Sequence, residues 1–247
     1  MNLSNPVPRP TLGGMKGYGQ FCPVAKTAEI FAQRWTPLLV RELCFGAKRF
    51  TEIHAGVPLM SRALLVQRLA ELEDAGVIAT QPLAQGKLYS LTPAGEHFGG
   101  IVNLMSDWGQ RYGQGRIAHE ELDPTLLMWG MRRQITTSQM PDHEIVLRLE
   151  FRGLPRAFAA RRYWWMILRP DDVEVCFKDP GLEVDVVLAA DLEAFVRVWM
   201  GHRGLAEALG AGDITLSGEA RKVLELKRAL RLSEVPDLRV LAFPPAA

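Results

Sequence analysis

Arg62, Ala63, Val66 and Gln67 stand close together in the stretch SRALLVQRLAELEDAGVIA. At about 100° per residue, Ala63, Val66, Gln67, Ala70 and Asp74 share one side of a helix, with Arg62 at its margin. Leu64, Leu65, Leu69 and Leu72 lie opposite. A guanidinium and an amide are the groups that pair with base edges in a major groove, and Val66 and Ala63 suit contact with a thymine methyl. Ser61 is the expected N-cap, so the positive end of the helix faces outward toward phosphate. The acids Glu71, Glu73 and Asp74 crowd the far end. Lys48, Arg49 and Lys87 are the further cations expected at a DNA backbone. Arg68 projects to the leucine side, where a structural salt bridge is expected. The same pattern also suits a surface helix of a bundle, so the surrounding elements must decide.

Other chemistry is poorly supported. The five histidines are scattered, and there is no HExxH, CxxC or GxSxG. Gly17-x-Gly19 lacks the third glycine and the preceding strand of a dinucleotide site. No catalytic residue, cofactor or metal is expected. Cys22, Cys44 and Cys176 lie far apart, and an odd number gives no disulfide framework. The chain begins without a basic segment followed by an apolar one, and no apolar run approaches the ~20 residues of a membrane span. A cytoplasmic protein with no membrane partner is expected. Net charge is +1, with 12 basic against 9 acidic side chains in residues 1–120 and 17 against 19 in the rest. Phosphate neutralisation supplies most non-specific affinity, so a chain this weakly charged is expected to engage DNA as a dimer.

The 247 residues suit two domains. Residues 1–20 are rich in Pro and Gly and read as a flexible arm. Three helices are expected over CPVAKTAEIFAQR, over TPLLVRELCFG with Thr36 as N-cap and Pro37 at the first helical position, and over Phe50–His54. The helix beginning after Ser61 should stop at Gly76. A hairpin then follows, Val77–Thr80 and Leu88–Leu91, around a turn containing Pro82 and Gly86. Thr92-Pro93 opens a long helix whose Phe98, Ile101, Met105, Trp108 and Tyr112 recur at steps of three and four. Its glycines suit close approach by a second helix, so this stripe is the expected homodimer contact, with packing inside its own domain as the alternative.

CPVAKTAEIFAQRWTPLLVRELCFGAKRFTEI, MSRALLVQRLAELEDAGVI and YSLTPAG carry a resemblance to the HxlR-type branch of MarR-like transcriptional regulators, over roughly residues 20–112. The resemblance implies a dimeric winged helix-turn-helix that binds DNA through a domain spanning residues 21–115. This wing carries only Lys87, so Lys48, Arg49 and Arg62 are expected to bear the backbone contacts. Cys22 precedes Pro23 at a helix N-terminus with Lys26 a turn on, which favours thiolate. Some proteins that this one resembles sense oxidants with such a cysteine. A small buried cap residue is the other reading.

Past Gly115 the period changes. A helix over 123–135 precedes EIVLRLEFRG, which alternates cleanly, and RRYWWMILRP, which is apolar on both faces. DVEVCFKDPG and LEVDVVLAAD read as two strands around an Asp179-Pro180-Gly181 turn. A helix capped by Asp191, a strand DITLSG and a last helix from Glu219 to about Leu230 complete an α+β domain, an antiparallel sheet with helices on one side. FKDPGLEVDVVLAADLEAFVRVWMG with LAEALGAGDITLSGEA resembles the sterol carrier protein fold, over about residues 123–230 of a domain spanning 116–247. That resemblance implies a pocket for an apolar small molecule. Trp129, Phe151, Trp165, Phe195 and Trp199 are its candidate lining.

These features predict a homodimeric DNA-binding transcriptional regulator whose C-terminal domain senses an apolar ligand. The rival is a lipid-binding carrier or interaction protein whose winged helix serves only dimerisation. An enzyme built on the second domain comes third.

Overall fold

The computed structural model describes residues 17–46, 48–112, 117–135 and 142–230. Most of the expected N-terminal arm and the boundary at Gly115 lie outside them. The described residues fall into two compact units, one up to Tyr112 and one from Ile117 onward.

The first unit is built from α1 (Pro23–Phe31), α2 (Thr36–Cys44), α3 (Phe50–Gly56), α4 (Arg62–Asp74), β1 (Ile78–Pro82), β2 (Lys87–Leu91) and α5 (Pro93–Tyr112). Leu39, Val40, Ile53, Leu65, Leu69, Leu72 and Val102 close over one another in a single core. Each fully buried aliphatic side chain there contributes roughly 1.5–3 kcal/mol. The cap expected at Thr36 falls one residue earlier. Trp35 is the N-cap, at φ +79°, while Thr36 is already helical and buried. The Arg34 guanidinium lies 5.3 Å from the Trp35 ring, a stacking contact that accompanies this costly backbone conformation.

Gly76 ends α4 at φ +68° and turns the chain into β1. The hairpin pairs Ile78 with Leu91 and Pro82 with Lys87, so Pro82 belongs to the strand, and the turn is closed by Leu83 N–H donating to Gly86 O at 3.0 Å. YSLTPAG then has a physical explanation. The Thr92 hydroxyl accepts the Gly95 N–H at 3.1 Å, capping α5, and donates to the Gly76 carbonyl at 2.6 Å. This draws α5 against the end of α4 so tightly that a Cβ on Gly95 would lie 2.1 Å from Val77 O.

The second unit holds α6 (Pro124–Gln134), β3 (Ile145–Arg152), β4 (Tyr163–Leu168), β5 (Val173–Cys176), β6 (Val186–Asp191), α7 (Leu192–Trp199), α8 (Leu205–Gly210), β7 (Ile214–Gly218) and α9 (Ala220–Ala229). Strand order is β5-β4-β3-β6-β7. The expected antiparallel sheet is in fact mixed, because β6 runs parallel to β3, in register Leu147 with Val186. Alternation of apolar residues is the same beside a parallel or an antiparallel neighbour, so the pattern does not encode this. The Asp179–Gly181 turn forms, with Gly181 N–H donating to Asp179 Oδ1 at 2.8 Å. It does not close a hairpin: β5 pairs with β4, and β6 pairs with β3 and β7. One face of the sheet and the four helices enclose a second core, with Leu147, Leu149, Phe151, Met166, Leu188 and Phe195 at its centre.

Candidate nucleic-acid interface

The turn between α3 and α4 sets the position of the α4 residues on the proposed surface. His54 Nε2 lies 3.0 Å from Met60 O, Met60 N–H donates to Val57 O at 2.9 Å, and both Val57 and Met60 are buried. Ser61 Oγ accepts Leu64 N–H at 3.3 Å, the expected N-cap. Leu65, Leu69 and Leu72 are buried beneath α4. Arg62, Ala63, Gln67 and Ala70 are exposed, and Val66 keeps 59% of its surface. A helix with this start and this outer face presents small groups, one guanidinium and one amide, with its dipole directed outward.

Two contacts refine the roles of individual side chains. Arg68 pairs with Glu71, the structural salt bridge expected on the leucine side. Glu71 also accepts the Gln67 amide at 2.8 Å, so one of its donors is already engaged before any base is met.

Lys48 and Arg49 are held by backbone pairing with the wing. Tyr89 N–H donates to Lys48 O at 2.8 Å, and Arg49 bridges Leu88 in antiparallel fashion. Glu52 Oε2 accepts the N–H groups of Lys48 and Arg49 at 2.8 and 2.9 Å, which satisfies two donors at the start of α3. Arg49 is therefore joined to the strand that carries Lys87, although the two lie far apart in sequence. A pairing of one or two residues has no alternation to detect, so the sequence gives no sign of it. Lys87 Nζ is 3.9 Å from Glu73, which also accepts the Thr80 hydroxyl. The wing is thus tied to the acidic end of α4.

A buried carboxylate was not visible in the pattern. Glu42 on α2 is fully buried, with Arg41 Nε at 2.9 Å, and Arg41 Nη2 donates to Gly56 O at 3.1 Å. The pair joins α2 to the end of α3. A Cβ on Gly56 would sit 1.8 Å from Glu42 Oε2, so any larger residue here would have to displace the buried carboxylate.

The aromatic stripe on α5 divides. Phe98 packs edge-on against Phe31 with centroids 4.9 Å apart, and Ile101 lies against the core. Met105, Trp108 and Tyr112 remain 49%, 62% and 71% exposed, joined by Leu104, which the periodicity did not single out. Met105 also borders an open groove of about 480 Å³, with Phe31, Trp35, Pro37 and Leu38.

Cys22 occupies the N-cap of α1, half-buried, and makes no side-chain cap hydrogen bond. Lys26, the cation expected to favour its thiolate, is committed to Glu29 at 3.1 Å.

The five aromatic residues proposed to line a pocket do not share one space. Phe151 and Phe195 are fully buried against each other, with centroids 5.8 Å apart. Trp165 pairs across from Arg148 and so lies on the reverse face of the sheet from Phe151. Trp199 packs at the edge of the helix-side core, and Trp129 stacks with Arg132 at 5.4 Å.

The HxlR-like helix-turn-helix family matches residues 30–116. Over 112 residues the chain is 34% identical to an uncharacterized HTH-type transcriptional regulator of Bacillus subtilis, YvaP, covering 95% of that protein and 44% of this one. The chain belongs to the HxlR-like helix-turn-helix family. HTH-type transcriptional regulator YodB of the same organism is 30% identical over 95 residues, covering 85% of its own length and 37% of this chain. The solved reduced form of YodB superposes with a TM-score of 0.34 at 29% identity, covering 38% of this chain and 97% of that one. The family and these relatives are transcriptional regulators, not enzymes. Among the described residues no helix is long and apolar enough to cross a membrane.

Proposed function

We propose that this HxlR-like chain is a DNA-binding transcriptional regulator that acts as a homodimer on a two-fold operator. The exposed outer face of α4 carries the reading: Arg62, Ala63, Val66 and Gln67 stand clear over a leucine layer, with Ser61 capping the end that leads into the groove. Lys48, Arg49 and Lys87 flank it as backbone contacts. The exposed half of α5, from Leu104 to Tyr112, supplies the apolar surface for a second copy. Half-sites then lie about one helical turn apart or a multiple of it.

The test is nuclease protection of the DNA upstream of the chain's own gene. A pair of protected half-sites, lost with Arg62→Ala while the fold survives, supports the proposal. Unprotected DNA at low salt overturns it. Trp108→Asp separately reports on the dimer, and the sedimenting mass should fall to that of a monomer.

The second unit is the sensor in this proposal, a sterol-carrier-like domain (residues 116–247) that takes an apolar ligand beside its helix-covered sheet. The sequence resemblance and the single helix-covered face support that assignment. A ligand regulates operator affinity only if it binds one arrangement of the dimer better than another. Mass analysis of molecules carried through purification of the full chain, followed by their titration into the DNA complex, tests this. An unchanged operator affinity removes the sensor role. The sparse wing, with Lys87 near Glu73, favours the rival reading of a carrier whose winged helix only dimerises. Salt-dependent retardation of the upstream DNA distinguishes the two.

A further inference from the structure

The link from β3 to β4 and the chain just past β5 carry four cations with no part in the surface described above. Arg156, Arg161, Arg162 and Lys178 are all exposed, and among the described residues none of them forms an ion pair. Three are held over aromatic rings instead. Arg161 lies 5.3 Å from the Phe177 centroid and 5.8 Å from Trp164. Lys178 Nζ lies 5.9 Å from the same Phe177 ring, and Arg162 lies 5.4 Å from Tyr163. Ring faces fix a cation in place without cancelling its charge.

The backbone beneath is equally fixed. Arg161 N–H donates to Phe158 O at 2.8 Å, its carbonyl accepts Trp164 Nε1–H at 2.9 Å, and Arg162 O accepts Phe151 N–H at 2.8 Å. Nearby acids have other partners: Glu150, opposite Tyr163, pairs with Arg148, and Asp179 Oδ1 accepts Gly181 N–H.

We infer that this cluster is a second, sequence-independent phosphate contact that holds duplex DNA flanking the operator. The inference rests on the proposed function. Charge complementarity selects the occupant. The wing offers a single lysine already beside Glu73, so it adds little phosphate neutralisation to that of Lys48, Arg49 and Arg62. The second unit belongs to a stretch with more acids than bases, yet it gathers four unpaired cations at one sheet end. Stacked bases are a poorer fit, because the exposed Phe177 is already approached by Arg161 and Lys178. A phosphodiester backbone needs only fixed positive charge.

The experiment compares the full chain with Arg156→Gln/Arg162→Gln/Lys178→Gln. Arg161 is retained because it packs between Trp164 and Phe177. One duplex of about 20 base pairs spans the protected half-sites, and a longer one adds about 20 arbitrary pairs on each side. Affinity is read across a salt series. Each lost phosphate contact removes roughly 0.9 from the log–log salt slope. With three cations lost from each of two protomers, the expected result is a slope shallower by about 5 on the long duplex, at least tenfold weaker binding there, and an unchanged short duplex. Arg156→Lys/Arg162→Lys restores the slope. Thermal unfolding should match the unaltered chain. Equal slopes on the long duplex overturn the inference while leaving the operator reading intact. So does loss of binding to phosphatidylglycerol vesicles with no change on DNA. If the unaltered chain binds neither duplex, the proposed function falls first and the inference with it.

Discussion

Both units were read from the spacing of apolar residues, but the structure uses those residues in opposite ways. On α4 the leucines sink and leave Arg62, Val66 and Gln67 outside. In the second unit two of the aromatic residues that suggested a cavity are themselves filling, since Phe151 and Phe195 close on each other with no exposed surface. A period tells which side of an element is buried. Whether the buried side meets a ligand or another side chain depends on what arrives from distant parts of the chain.

The largest effect tests the second unit. Phe195→Ala is expected to cost about 3–5 kcal/mol of stability, the price of a large cavity in a closed core. Urea unfolding measures it. A cost below about 1 kcal/mol would mean that the ring borders space already open, and the contrast between the units would fail.

The next tests the first unit by showing that its outer face is not core. Arg62→Ala is expected to weaken operator binding by roughly 1–3 kcal/mol, the value of a bidentate base contact. Stability should move by less than about 0.5 kcal/mol. Gln67→Ala should behave similarly but more weakly, because Glu71 already takes one of its donors. Stability loss without loss of binding would identify α4 as a packing helix.

Ser61→Ala is smaller and mixes the two behaviours. Losing the hydroxyl that accepts Leu64 N–H should cost about 1 kcal/mol of stability. Binding falls as well only if the frayed turn carries Arg62 out of position. Circular dichroism during unfolding and gel retardation separate the two effects.

Legibility followed the range of the signal. Ser61, the four leucines and Gly76 define α4 within sixteen residues, and all act as the pattern implies. Asp191 likewise caps α7 as expected, and Asp123 caps the expected helix α6. Failures arose where the deciding partner is remote or the signal is a single residue. Lys48 and Arg49 join the wing through one bridge. β6 lies parallel to β3 because of where the chain returns, which its own residues do not specify. Glu42 carries no sign of burial in its own residue type, and Arg41 and the end of α3 enclose it. Trp35 takes the cap from Thr36 in a backbone conformation that its side chain does not advertise.

The smallest effect contrasts cysteines. Burial pushes the Cys44 thiol up to about 11, and the Glu96 charge adds to the rise, against a backbone hydrogen bond that lowers it. Burial also raises Cys176, with help from Glu174. A raised thiol pKa means that the fold favours the neutral form. Its contribution to stability is complete below the unfolded value of 9.0 and is lost as pH climbs through about 11. Alkylation requires thiolate and access, so near pH 8 iodoacetamide should modify Cys44 last, after Cys176 and after Cys22, which stands at the N-cap of α1 with no side-chain cap hydrogen bond. Mass analysis of timed digests gives the order. Cys44 lies against α5, with only 3.0 Å between its sulfur and the place a Cβ would take on Gly99. Labelling of Cys44 as fast as Cys22 would therefore mean that α5 lifts from α2 in solution. The packed half of the α5 stripe would then be as open as the exposed half, and the contrast between buried face and working face would no longer hold even inside the first unit.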